Sequence, residues 1–135
     1  MFAFHGWLSV HGAGEEPRAA VRGPDGASVA DLVRYTDGGP GLVDLRWMNG
    51  ELFIHVGGFA NHRSPDVDGV FDLFRRVGEA APGSYGLLHY RDDEEPGESG
   101  NAFHVWVMRR GRLYEATDTL LSPVIPTIED LDDPS

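Results

Sequence analysis

Apolar and polar positions alternate from the first residues of the chain. Phe2, Phe4, Gly6, Leu8 and Val10 fall on one side of an extended backbone, and Ala3, His5, Trp7 and Ser9 on the other. That period of two predicts a strand over 2–10 with one buried face. The period is lost over 11–27, where Gly, Pro, Glu and Arg predominate and a loop is expected. Ser28 stands where an N-cap belongs, ahead of a short helix over 29–36 with Val29, Leu32 and Val33 on one side. Asp37-Gly38-Gly39-Pro40-Gly41 then breaks the chain.

The clearest local pattern runs from Leu42 to Val56. Asn49-Gly50 separates two alternating runs, which is the sequence of a type I′ hairpin because both central residues must take positive φ. A two-residue loop pairs Met48 with Glu51, Trp47 with Leu52, Leu45 with Ile54 and Val43 with Val56. The last six residues share a face predicted to be the core, and Asp44 faces His55 on the other side. Gly57-Gly58 is expected to end this strand. Ser64, Pro65 and Asp66 then open a second helix, whose stripe of Val67, Val70, Phe71, Phe74 and Val77 follows the helical period. Pro82-Gly83 stops it. Ser84–Arg91 reads as a strand and Asp92–Gly100 as an acidic loop. Ala102–Arg109 and Arg112–Thr117 form a second hairpin around Arg110-Gly111. The expected fold is α+β: one domain over 1–120, with an antiparallel sheet of five to six strands packed against two helices. Residues 121–135, with three prolines and four acids, form an extended tail.

Length and composition agree with one soluble domain: 135 residues, 41% hydrophobic and 24% charged. With no Cys, disulfides and thiolate chemistry are absent together. No apolar run approaches the roughly 18 residues a membrane span needs. Met1–His11 lacks the basic start of a signal peptide, so a cytoplasmic location is expected.

Charge changes the picture more. Eleven Arg and no Lys stand against twenty-two Asp and Glu, a net charge of −11. Such a surface repels nucleic acid and anionic membranes, so neither is expected as a partner. Half of the acids lie in residues 92–135, with only three of the arginines. Asp92, Asp93, Glu94, Glu95 and Glu98 crowd one predicted loop. Two readings stand: a solvated loop that keeps the protein soluble, or a face for a basic partner.

Catalytic signatures do not assemble. The six His residues have no metal-site spacing: His5 and His11 are about 20 Å apart along an extended strand, and His55, His62, His89 and His104 belong to separate elements. Ser84 in Gly83-Ser84-Tyr85-Gly86 lacks the spacing of a nucleophile elbow. Gly12-Ala13-Gly14 and Gly39-Pro40-Gly41 lack the third glycine of a dinucleotide loop. Neither a metal nor a cofactor is expected. Trp7, Trp47 and Trp106 read as core residues of strands, with interface anchoring as the other use of Trp. Asn61-His62-Arg63-Ser64, between a strand end and a helix start, is either a local capping network or part of a binding site.

Four segments together resemble the immunity protein 7 family, antidotes found beside bacterial polymorphic toxins. They are Phe4-His5-Gly6-Trp7, Gly57-Gly58-Phe59-Ala60-Asn61-His62-Arg63, Ala81-Pro82-Gly83-Ser84-Tyr85-Gly86 leading to Arg91-Asp92-Asp93-Glu94, and Leu121–Asp130. The resemblance runs along nearly the whole chain, and the run from Ala81 to Gly86 followed by Arg91-Asp92 is its most specific part. It implies an antidote that binds the C-terminal domain of a cognate toxin, such as a basic nuclease, and catalyses nothing. The residues that carry it are Trp7, Pro82, Gly83, Ser84, Tyr85, Gly86, Arg91 and Asp92. Asp92, Asp93, Glu94, Glu95 and Glu98, with Asn61, His62 and Arg63, are the expected partner-binding residues. A homo-oligomer is possible but not indicated. Two other readings remain: a small hydrolase or metal-dependent enzyme using Asp44, His55 and His62, and an adaptor with no toxin partner.

Overall fold

Asn49 and Gly50 hold φ angles of +51° and +79°, and Arg110 and Gly111 hold +49° and +75°. Both hairpins therefore close through the tight turns their sequences predict. In the computed structural model these turns join strands of one six-stranded sheet. The structure describes residues 1–12, 22, 26–36, 41–121 and 123. Most of the predicted 11–27 loop, the Asp37–Pro40 break and nearly all of the 121–135 tail lie outside them.

The elements are β1 (Phe2–Ser9), α1 (Val29–Tyr35), β2 (Leu42–Met48), β3 (Glu51–Ala60), α2 (Pro65–Ala80), β4 (Tyr85–Asp92), β5 (His104–Arg109) and β6 (Arg112–Thr117). A short 3-10 turn over Gly97–Asn101 interrupts the loop between β4 and β5. The strands lie in the order β2-β3-β1-β4-β5-β6, every pair antiparallel. The α+β expectation holds, with six strands and two helices among the described residues.

Register follows from the pleat. Trp47 pairs with Leu52, Leu45 with Ile54, Val43 with Val56, and Asp44 with His55, as the alternation predicts. One sheet face carries Phe2, Phe4, Leu8, Leu52, Ile54, Val56, Leu88 and Met108, all buried. Helices α1 and α2 cover it with Val29, Leu32, Val67, Val70, Phe71, Phe74 and Val77. Among the described residues no helix covers the opposite face.

Local chemistry starts and stops the helices. Ser28 Oγ accepts the Asp31 N–H at 3.1 Å, and the Asp31 carboxylate accepts the Ser28 N–H, a reciprocal capping box. These two bonds hold the Asp31 carboxyl below its ordinary value. Pro65 opens α2, and Ser64 caps it through its backbone, with no side-chain bond.

Three expectations are corrected. Gly57-Gly58 does not end β3, which continues to Ala60 because Phe2 pairs with it. A Cβ on Gly58 would stand 2.6 Å from the Phe4 ring, so glycine permits close packing there. Asp92 is the last residue of β4 rather than part of a solvated loop, and it is only 8% exposed. Trp47 faces the helix side but is 55% exposed, because the helices do not reach that end of β2.

Candidate functional site

Two segments that are far apart in sequence meet because β1 is the centre of the sheet. Phe2 pairs with Ala60 on one side and with Asp92 on the other. The ends of β3 and β4 therefore flank the amino terminus at one end of the sheet. Asn61-His62-Arg63 leaves one strand and the acidic loop leaves the other, side by side.

The contacts between them are specific. The Met1 ammonium lies 2.7 Å from Asp93 Oδ1, and this bond holds the exposed Asp93 carboxyl below its ordinary value. His62 Nδ1 is hydrogen-bonded to Glu94 Oε1. His104 Nε2 donates to the Ser99 carbonyl at 2.9 Å and lies 3.3 Å from Glu95 Oε2. Asp92 Oδ1 accepts the Glu94 N–H at 3.1 Å, which folds the loop back over the strand end. Glu98 is exposed and has no ionic partner among the described residues. The acids that look mutually repulsive in sequence are thus held on three nitrogen groups, with Glu94 and Glu98 facing water.

Arg63 turns inward rather than towards these acids. Its guanidinium lies 5.0 Å from the centre of the Phe71 ring, 5.4 Å from Phe2 and 5.9 Å from Tyr90. Its Nε donates to Asp68 Oδ1 at 2.7 Å. This arrangement favours a cation on aromatic faces and fixes the start of α2 against the sheet. The Tyr90 hydroxyl donates to Glu115 Oε1 at 2.8 Å. Burial first, and that bond second, push its phenol well above the ordinary tyrosine value.

This end of the sheet offers exposed carboxylates on a braced loop, backed by aromatic rings. Carboxylates so placed can pair with cationic groups. His104 and Tyr90 are the contributors that the sequence reading passed over. The alternation of β5 was the available signal, since it puts His104 on the same side as Trp106 and Met108.

The other proposed constellation does not form. Asp44 is opposite His55, but its Oδ2 is 3.1 Å from Arg46 Nε. His62 lies beyond Ala60, and the five residues from His55 to Ala60 alone span roughly 17 Å of strand. No group of three His, Asp or Glu side chains among the described residues is placed to hold a metal ion.

The segment from Pro82 to Gly86 is a structural junction. Ser84 is fully buried; its Oγ accepts the His11 N–H at 3.1 Å and its carbonyl accepts the Gly111 N–H at 2.9 Å. Gly83 N–H donates to the His11 carbonyl at 2.8 Å. A Cβ on Gly86 would stand 2.1 Å from the Trp7 carbonyl oxygen, so only glycine lets β1 and β4 approach there. Tyr85 meets Trp7 edge-on at 6.1 Å and stacks on His11 at 5.4 Å. Arg91 lies opposite Ala3 on the open face. Trp106 packs edge-on against Phe71 at 4.6 Å, half-buried like Trp7.

No helix of the described residues is long and apolar enough to cross a membrane. No curated protein and no solved structure gives a significant match to the chain. A family model described as immunity protein 7 matches residues 1–130.

Proposed function

The chain belongs to the immunity protein 7 family, and from that premise we propose that it is an antidote: it binds one cognate toxin domain in the cytoplasm and silences it, with no reaction of its own. The observation that carries this reading is the family match over residues 1–130. The geometry of the acidic end supports a route for such binding. Glu94 and Glu98 are exposed on a loop braced at Met1, His62 and His104, so they meet a partner without first ordering the loop. Delivered toxins that cut nucleic acids have basic clefts, and a chain of net charge −11 approaches such a cleft down a favourable potential. Asn61 and His62 extend the contact beside the loop. Asp92, Asp93 and Arg63 support it from behind.

Co-expression tests the proposal. A toxin domain encoded beside this gene should stop growth when expressed alone and should permit growth when this chain accompanies it. This chain alone should leave growth unchanged. Equal killing by the toxin with and without it sinks the proposal.

A further inference from the structure

An antiparallel sheet with one face in water carries mostly polar residues on that face. The open face of this sheet does not. Trp7, Leu87, Val107 and Tyr114 stand directly opposite one another on four neighbouring strands and form one apolar row. Phe59 on β3 and Leu42 on β2 share this face and are 61% and 55% exposed. A cavity of about 110 Å³ lies beside the row, with Ala3, His5, His89 and Phe103 among its lining residues. A continuous apolar patch of this kind marks a surface that something covers.

Charge narrows the choice of cover. The chain has twice as many acids as arginines. Yet among the described residues the register puts Arg46, Arg91, Arg109 and Arg112 on the open face, against only Asp44, Glu51 and Asp118. Arg91 Nε is shielded from water and has no acceptor among the described residues. The face therefore suits an occupant that is apolar, acidic and able to supply a hydrogen-bond acceptor. A second copy would set arginines against arginines. The chain itself carries the right sequence: residues 124–135 hold Val124, Ile125 and Ile128, then Glu129, Asp130, Asp132 and Asp133. The family match continues through residue 130, so the apolar part of this segment lies within the matched region.

The exit from β6 is aimed at this face. Asp118 follows the last residue of β6, and its Oδ2 lies 3.8 Å from Nε2 of His89, two strands away at the cavity. Its Oδ1 accepts the Leu120 N–H at 2.8 Å, which turns the chain on the cavity side of the sheet. Twelve extended residues reach roughly 40 Å, whereas six strands side by side measure roughly 24 Å. Residues 13–21 are no rival, because they end at Arg22, bridged to Ser28 at the start of α1 on the opposite face. We propose that residues 124–135 lie across the open face, with Val124 and Ile125 at the cavity, Ile128 on the Trp7–Leu87 row and the acids towards Arg109 and Arg112. The sheet is then a wall between two apolar layers. This inference stands apart from the antidote reading, and it leaves the acidic end of the sheet free.

Methyl NMR on the full chain tests this, because the sequence has only three isoleucines, Ile54, Ile125 and Ile128. Ile54, fully buried on the helix side, is the internal reference. With the δ1 methyls labelled, Ile125 should show nuclear Overhauser contacts to the Phe103 ring, and Ile128 to the Trp7 ring. Ala3→Leu, which fills the cavity, should shift the Ile125 methyl and leave Ile54 in place. Wild-type contacts decide the matter if that variant fails to fold. Isotope-filtered spectra of mixed labelled and unlabelled chains separate contacts within one chain from contacts between copies. Sharp Ile125 and Ile128 methyls at random-coil positions overturn the proposal. So do contacts to α1 or α2 instead, contacts seen only between copies, or an Ile125 methyl that ignores Ala3→Leu in a folded variant.

Discussion

His62, in the loop after β3, is hydrogen-bonded through Nδ1 to the carboxylate of Glu94, in the loop after β4 and thirty-two residues further along the chain. The bond joins two segments that are unrelated in sequence into one surface. It is exposed, so its contribution to stability is small. What it does is position a carboxylate at the rim of the proposed toxin contact.

Glu94→Gln together with Glu98→Gln should therefore leave folding within about 0.5 kcal/mol of wild type. Association with the toxin should slow at low salt, and the difference should shrink as the screening length falls towards about 8 Å. Stopped-flow association over a salt series measures it. Equal rates at low salt would leave the loop without a role in binding.

Asp92 behaves differently from its neighbours because it is buried and accepts the Glu94 N–H. Asp92→Ala should cost about 1–3 kcal/mol in urea unfolding, since a shielded donor loses its partner. A cost as small as that of the Glu98→Gln change would mean that the bond is not maintained in solution.

Trp47→Ala should cost clearly less than the roughly 3–5 kcal/mol expected for truncating a fully buried aromatic such as Phe74. The two variants compared by denaturant midpoint give the answer directly. If Trp47→Ala weakens toxin binding while sparing the fold, the exposed ring is an interface anchor.

Gly78→Ala reverses the usual helix rule. Alanine favours a helix interior over glycine by about 1 kcal/mol. At this position, however, a Cβ would stand 2.4 Å from the Gly111 carbonyl oxygen and force α2 away from the β5–β6 turn. Destabilisation is expected, and a raised melting temperature would show that the turn yields easily. Gly50→Val, at φ +79°, should cost more than about 1 kcal/mol for the separate reason of backbone strain.

Tyr90 gives stability a slope in alkali. Its folded-state pKa is raised above the ordinary 10.0 by burial and by the bond to Glu115. The protonated phenol's contribution is therefore fully present below pH 10 and is lost as the pH climbs towards the raised value, because the unfolded chain ionises first. Melting temperature should fall more steeply above pH 10 for wild type than for Tyr90→Phe. Parallel curves would contradict the shift.

Much of the fold was legible because it rests on neighbours in sequence. Alternation gave β1 its buried face, Asn49-Gly50 gave the hairpin its register, and Ser28 with Asp31 gave α1 its start. Each depends on backbone sterics or hydrogen bonds within a few residues. The candidate site was legible only in pieces: both loops could be marked as polar, but their meeting required knowing that Phe2 pairs with both Ala60 and Asp92. Gly57-Gly58 misled for a related reason, since glycine in a strand signals an end or a close approach, and only the Phe4 ring beside Gly58 decides which.

What the chain determined by itself is the direction each side chain faces; what the tertiary structure decided is how much lies over it. Trp47 is the clear case. The pleat puts it on the helix side, and α1, whose seven residues measure roughly 10 Å, is too short to cover β2, whose seven residues measure roughly 23 Å. The same reason governs Asp92. An acidic run predicts a solvated loop, yet the central strand extends pairing to its first member and draws that carboxylate out of water.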